Sequence, residues 1–258
     1  MKGKCIMKIA VVTGASSGIG KEFVKQIAAG EQLDEIWVIA RRVQLLNELK
    51  EEFDNVRPVP LDLLKDESRD TLCRMLEEEK PDIRILVNAS GFGKFGSFLD
   101  MTRQEINSML ALNLNSLIDM CYDCLPYMSE GARIINMGSA SCFQPLPYFN
   151  IYAAGKTAVL SFSRALNVEL KPRKISVTSV CPGWVRTEFF DVAKKTKNSD
   201  AVTHFSPMYE SADVVRKALK DSRKGKDISV LGFTVKIQKL GAKLFPASFA
   251  MKVWMKVK

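Results

Sequence analysis

Two hydrophobic rhythms alternate along the chain. Short unbroken apolar runs at residues 9–13, 36–40 and 85–88, and within "ARIINMGS", "ISVTSVCPG" and "DISVLG", each stop at a polar residue, Gly or Pro. "VRPVPLDL" is a further short run. Unbroken runs of this length read as strands covered on both faces, which places them in a parallel sheet. Between them, "GKEFVKQIAAG", "RVQLLNELKEEF", "DESRDTLCRMLEEEK" and "SADVVRKALKD" carry apolar residues at helical spacing. Helical spacing also predicts long helices at 102–112, 114–128 and 151–170. Strand and helix alternate almost throughout, so the predicted fold is α/β: one doubly wound, Rossmann-like domain of about seven strands, helices on both faces. No internal repeat or low-complexity block interrupts it.

Composition changes this picture little. The 258 residues, 47% of them hydrophobic, suffice for one large core. Cys5, Cys73, Cys121, Cys124, Cys142 and Cys181 are scattered in apolar surroundings, as expected of reduced, buried thiols. The start, "MKGKCIMKIAVV", has no secretion signal, and either Met1 or Met7 could be the native start. A cytoplasmic protein is expected. No apolar run reaches the roughly 20 residues of a membrane span. The net charge of +9 comes from "KKTK" at 194–197 and a tail, 234–258, with lysines but no acid. Without a nucleic-acid motif or a basic, aromatic stacking surface, nucleic-acid binding is not expected. "CYDC", 121–124, has redox spacing but sits in a helical pattern. With a single His204 in the chain, no metal site is expected.

Chemistry enters at "TGASSGIG". Gly14, Gly18 and Gly20 stand between the first strand and the first helix, where glycines let backbone N–H groups approach a phosphate at a helix N-terminus. A plain tight turn is the alternative; position after the first strand favours the dinucleotide reading. At the end of the second strand, where an NAD site would offer a carboxylate, the chain has Ala40, Arg41 and Arg42. Guanidinium groups favour a 2′-phosphate, and so NADP(H). Further on, Tyr152 and Lys156 are four apart and share a helix face.

Together, "TGASSGIG", the strand order and "YAAGK" resemble the short-chain dehydrogenase/reductase family over about residues 8–232. The resemblance implies a catalytic Asn113, Ser139, Tyr152 and Lys156. It implies cofactor contacts from Gly14, Ser16, Ser17, Gly18, Ile19, Gly20, Arg41, Arg42, Asp62, Leu63, Asn88, Tyr152, Lys156, Pro182, Gly183, Val185 and Thr187. "NASG", 88–91, departs from the family's NNAG at Ala89, so some loss of loop scaffolding is expected. Each residue alone has a bland reading as cap, strand end or core.

The implied reaction is hydride transfer between nicotinamide and a carbonyl or secondary alcohol. The Lys156 ammonium is expected to lower the Tyr152 pKa so that the phenol serves as acid and base. Ser139 is expected to bind the substrate oxygen, and Asn113 to position a water relaying protons to Lys156. Residues 187–211 resemble a substrate lid, with Phe189, Phe190, Phe205, Met208 and Tyr209. Phe92, Phe95, Phe143, Pro145, Leu146 and Trp184 add apolar surroundings, which suit a hydrophobic ketone or alcohol, steroid-like or acyl-like. Alternatives are a 3-oxoacyl-carrier reductase and a non-catalytic NADPH sensor. The extension, 234–258, has an interfacial composition, but a helix that packs on its own domain or on a sister subunit and covers the substrate pocket is preferred over peripheral membrane contact. A homodimer or homotetramer through 114–128 and 152–170 is expected.

Overall fold

The computed structural model describes residues 6–258; the expectations for Cys5 and for a start at Met1 lie outside them. β1 (Lys8–Thr13), α1 (Gly18–Gly30), β2 (Glu35–Ala40), α2 (Val43–Glu52), β3 (Val56–Pro60), α3 (Asp66–Glu79) and β4 (Asp82–Asn88) form the first half. α4 (Arg103–Leu110), α5 (Ser116–Cys124), β5 (Arg133–Met137), α6 (Asn150–Glu169) and β6 (Ser176–Val180) follow. The two-residue strands β7 (Trp184–Val185) and β8 (Met208–Tyr209) pair with each other, and α7 (Phe189–Ala193) lies between them in the chain. α8 (Ser211–Arg223), β9 (Ile228–Ser229), α9 (Phe233–Leu244) and α10 (Ala247–Val257) complete the chain.

Seven strands form one parallel sheet in the order β3-β2-β1-β4-β5-β6-β9, as the alternating pattern predicts. Successive side chains divide between its faces. Ala10 and Val12 of β1 pack in a core with Phe23 and Ile27 of α1 and Val215 of α8. Ile9 and Val11 pack in the opposite core with Leu76 of α3, Met120 of α5 and Val159 of α6.

The register across the sheet sets up the site. Thr13 pairs with Asn88, Asn88 with Asn136, and Asn136 with Ser179. These four buried polar residues form a row where the apolar runs end. Asn88 Nδ2 donates to Asn136 Oδ1 (2.9 Å), and Asn136 Nδ2 donates to Ser163 Oγ on α6 (3.0 Å). Thr13 Oγ1 accepts the N–H groups of Ala89 (3.1 Å) and Ser90 (3.2 Å). The loop after β4 is thus tied to β1 through its main chain, independently of the side chain at 89. Between β1 and β4 the strand order reverses, where open α/β sheets leave a crevice for ligands.

The helical pattern at 102–128 is one run with a defect rather than two separate helices. Residues 111–115 form a π-helical turn between α4 and α5. Such one-residue insertions occur often at functional sites, and this one contains Asn113. "CYDC" lies on α5, with Cys121 and Cys124 buried as unpaired thiols. Burial pushes the Cys121 thiol up to about 12, which makes it a poor nucleophile.

Candidate active site

The loops at the carboxyl ends of β1, β4, β5 and β6 surround a cleft of about 200 Å³. Its floor begins with the glycine turn. Gly14 has φ +67°, and a Cβ there would stand 2.8 Å from the Ala89 main chain. A Cβ on Gly20 would come within 2.1 Å of the Gly14 carbonyl oxygen. Side chains at these positions would force the turn from the β4 loop or α1 from its strand. Gly18, φ +53°, faces Thr187: a Cβ there would be 3.1 Å from Thr187 Cγ2. Two segments far apart in sequence therefore close around one space.

Ser139 follows β5 and starts the short helical turn at 140–143, accepting the Ser141 N–H at 3.1 Å. That bond uses a lone pair and leaves the hydroxyl proton for another acceptor. Tyr152 and Lys156, in the first turns of α6, line the same cleft. Phe149 stacks on Tyr152 with centroids 4.3 Å apart, and Phe189 meets the ring edge-on at 5.5 Å. Lys156 Nζ donates to the Met137 carbonyl (2.7 Å) and lies 5.6 Å from the centre of the Tyr152 ring. Asn113 Oδ1 accepts the Phe92 N–H (2.9 Å) and its Nδ2 donates to the Phe92 carbonyl (2.8 Å). A Cβ on Gly91 would lie 2.6 Å from Asn113 Oδ1 and 3.7 Å from Lys156 Nζ. The four predicted catalytic residues thus gather around one loop and one helix end.

One expectation needs correction. Tyr152 is not made more acidic here: burial raises its pKa above the usual tyrosine range, and only the Ser139 hydroxyl pulls it back. Burial also lowers the Lys156 ammonium to about 8. Desolvation of both groups outweighs their mutual influence in so dry a site. The Asn113 carboxamide is bonded at both ends to the Phe92 main chain and so splints the loop beside Lys156.

The remaining predicted residues divide between cleft and flank. Ile19, Pro182, Gly183, Val185 and Thr187 line the cleft. Ser17 precedes α1, and its carbonyl accepts the Lys21 N–H. Arg42 reaches back over the glycine turn, with Nε and Nη2 donating to Ser16 Oγ at 3.2 and 3.0 Å. Its Nη1 also pairs with Glu188 at 2.9 Å, and Arg41 is exposed beside it. Asp62 Oδ1 accepts the Leu64 N–H (3.2 Å) after β3, and Leu63 packs onto the second core. The Asn88 carboxamide turns inward to Asn136 and Cys121 and does not face the cleft. His204 is exposed.

These residues fit a dinucleotide. The glycine cradle, which added Cβ atoms would fill, opens at the N-terminus of α1, and Ser16 is backed by a guanidinium. Around the catalytic group the lining is apolar: Leu146, Trp184, Phe189 and Phe190 were anticipated. Phe95, Phe143 and Phe205 instead pack in the aromatic and apolar clusters behind it. Sequence reasoning missed Phe149, which also lines the cleft; the tail, expected to cover the substrate pocket, reaches it through Val235, Gln238 and Trp254. The spacing of Phe149, three before Tyr152 at a helix start, was the available signal.

Comparison with known proteins agrees with this geometry. A sequence profile described as short chain dehydrogenase matches residues 8–198. The chain is similar to the NADPH-dependent 1-acyldihydroxyacetone phosphate reductase of Saccharomyces cerevisiae, 29% identical over 84% of this chain and 73% of that one. It is 33% identical to an uncharacterized oxidoreductase of Staphylococcus aureus (strain MRSA252), over 70% of this chain and 79% of the relative. Among solved structures, a short-chain dehydrogenase of Sphingobium yanoikuyae in complex with NADPH superposes with a TM-score of 0.77, at 26% identity, covering 92% and 94% of the two chains. One from Streptomyces avermitilis gives 0.79 at 25% identity, covering 98% of each. With its parallel sheet, glycine cradle and gathered Ser139, Tyr152 and Lys156, the chain belongs to the short-chain dehydrogenase/reductase family of oxidoreductases.

Proposed function

We propose that the protein is an NADP(H)-dependent oxidoreductase that interconverts a hydrophobic ketone and its secondary alcohol. One observation carries the reading: Ser139 and Tyr152 sit in a cleft where Lys156 is the only charged side chain among the described residues that line it. A neutral, apolar substrate with one reactive oxygen is what such a lining accepts. Among the hydrophobic classes, similarity to the yeast NADPH-dependent 1-acyldihydroxyacetone phosphate reductase supports a ketone bearing an alkyl chain, while the phosphate in that relative's substrate has no cation to meet it among the described residues of this lining apart from Lys156.

The glycine turn, Ser16, Ser17, Ile19, Asp62, Leu63 and Thr187 would hold the dinucleotide, with Arg41 and Arg42 on its 2′-phosphate. When bound, that cofactor supplies or accepts the hydride. The chain's own residues manage the oxygen. Ser139 donates its hydroxyl proton to the substrate oxygen and stabilises the negative charge developing there. Tyr152 delivers its phenolic proton to that oxygen in reduction and removes it in oxidation. Its raised pKa makes it a neutral acid, ready to donate, throughout the neutral range. Lys156, held by the Met137 carbonyl, places a positive charge beside the phenolate formed by donation. Asn113 keeps the 91–92 loop in place beside Lys156.

The test is a panel of apolar ketones and alcohols followed by NADPH absorbance, with NADH in parallel and Tyr152→Phe as control. Turnover is expected with NADPH, with the phenylalanine variant retaining cofactor binding and losing about a thousandfold or more in kcat. Equal rates with NADH would overturn the NADP(H) assignment. Undiminished turnover by the variant would overturn the mechanism. A protein that binds NADPH but turns over no substrate would be the sensor.

A further inference from the structure

The C-terminal extension packs on its own domain, as preferred from sequence, but with only one side of each helix. On α9, Val235 is buried and Gln238 donates to the Ala140 carbonyl at 3.2 Å. At 100° per residue the opposite side of α9 carries Phe233, Ile237, Leu240 and Leu244. These four fall within one narrow stripe and are 52–78% exposed. Lys236 and Lys243 are exposed along its edge. α10 repeats the arrangement. Trp254 is buried, with Nε1 donating to the Pro147 carbonyl (2.8 Å), while Phe249 and Val253 point outward beside Lys252 and Lys256. Phe245 and Phe249 touch, with centroids 5.2 Å apart, and join the two stripes. Lys258 lies over the Tyr148 ring and donates to the Ala201 carbonyl, so the end of the chain is fastened down. The outer apolar face therefore belongs to a fixed element.

We propose that this face docks on an anionic phospholipid surface, with α9 and α10 lying in the plane of the interface. Charge identifies the occupant. Residues 228–258 contain six lysines and no aspartate or glutamate. A second copy of the same face would bring like charges together across an apolar contact; Asp227, the acid that shares a groove with Lys239 and Lys243, is already paired with Arg164 at 2.8 Å. An anionic headgroup layer neutralises them while the acyl boundary receives the phenylalanine and leucine side chains. No described helix is long and apolar enough to cross a membrane, so the contact is peripheral. The inner sides of the same helices contribute Thr234, Val235, Gln238 and Trp254 to the catalytic cleft. Docking places one wall of the cleft against the bilayer, where apolar ketones concentrate. This second point rests on the substrate reading above; docking itself does not.

The test is sedimentation of the full chain with vesicles of phosphatidylcholine alone or mixed with phosphatidylglycerol. Binding to the mixed vesicles, weakening as salt rises, is the expected result. Leu240→Ser/Leu244→Ser is expected to weaken binding at least about tenfold, and Lys236→Glu/Lys243→Glu by a similar factor. Unaltered thermal unfolding of both variants shows that the fold is intact. Absence of binding to mixed vesicles, or equal binding by the leucine variant, would overturn the proposal. So would light scattering showing a dimer that the leucine variant alone dissociates. Because sedimentation needs no turnover, its outcome is separate from that of the substrate panel.

Discussion

Lys156→Met separates what the active site needs from what the fold prefers. Lys156 is 4% exposed, and burial lowers its ammonium from 10.5 to about 8. Below about pH 8 the folded protein holds a charge that the unfolded chain solvates better. The penalty is about 3 kcal/mol, at about 1.4 kcal/mol per pKa unit. Methionine fills a similar volume without charge but gives up the charged bond to the Met137 carbonyl, worth about 2 kcal/mol. The variant is therefore expected to be about 1 kcal/mol more stable near neutral pH, raising Tm by roughly 2–4 °C in a chain of this size. The sign follows from linkage. Between about 8 and 10.5 the unfolded lysine binds more protons than the folded one, so wild-type stability gains as pH rises through that window and the variant's advantage shrinks. Burial keeps Tyr152 protonated in the folded protein through this window, so the difference reports the lysine. The assay is thermal unfolding of both proteins across the alkaline range, with kcat measured alongside and expected to collapse. A variant less stable near neutrality, or a difference that does not change with pH, would refute the argument.

Arg42→Ala is expected to raise KM for NADPH by roughly 10- to 100-fold and leave KM for NADH unchanged, in steady-state assays. Gly20→Ala places a methyl 2.1 Å from the Gly14 oxygen and is expected to destabilise by about 3 kcal/mol or more, read from the urea midpoint. Asn136→Leu leaves the Asn88 amide with only the weak Cys121 acceptor and removes the donor to Ser163 Oγ; a loss of about 2 kcal/mol by the same measurement is expected.

Much of the fold was legible because unbroken apolar runs have few interpretations. The strands at 9–13 and 36–40 match β1 and β2 nearly to the residue. The catalytic positions were legible because helix geometry links Tyr152 to Lys156, and family spacing adds Ser139 and Asn113. Properties that depend on how dry a site becomes were not legible. The Tyr152 shift comes from burial under Phe149, which is near in sequence, and Phe189, which arrives from a distant segment that no local pattern links to it. The polar row Thr13, Asn88, Asn136 and Ser179 depends on strand register, set by pairings across the whole sheet. The π-helical turn was hidden for a related reason. One inserted residue shifts a helix face without breaking its apolar pattern, so the sequence suggested two helices meeting at Asn113. The tail was half legible: its composition announced amphipathic helices covering the pocket, but only the packing shows which residues form their inner side.

The distribution of indole rings has a practical consequence. Of the chain's three tryptophans, Trp184 and Trp254 border the cleft, their rings 6.5 Å apart, whereas Trp37 is sealed in the core on β2. The protein thus carries its own optical reporter: emission from the bordering pair responds to whatever enters, against a constant background from the third. Ligands can be ranked on unlabelled protein before any turnover is known.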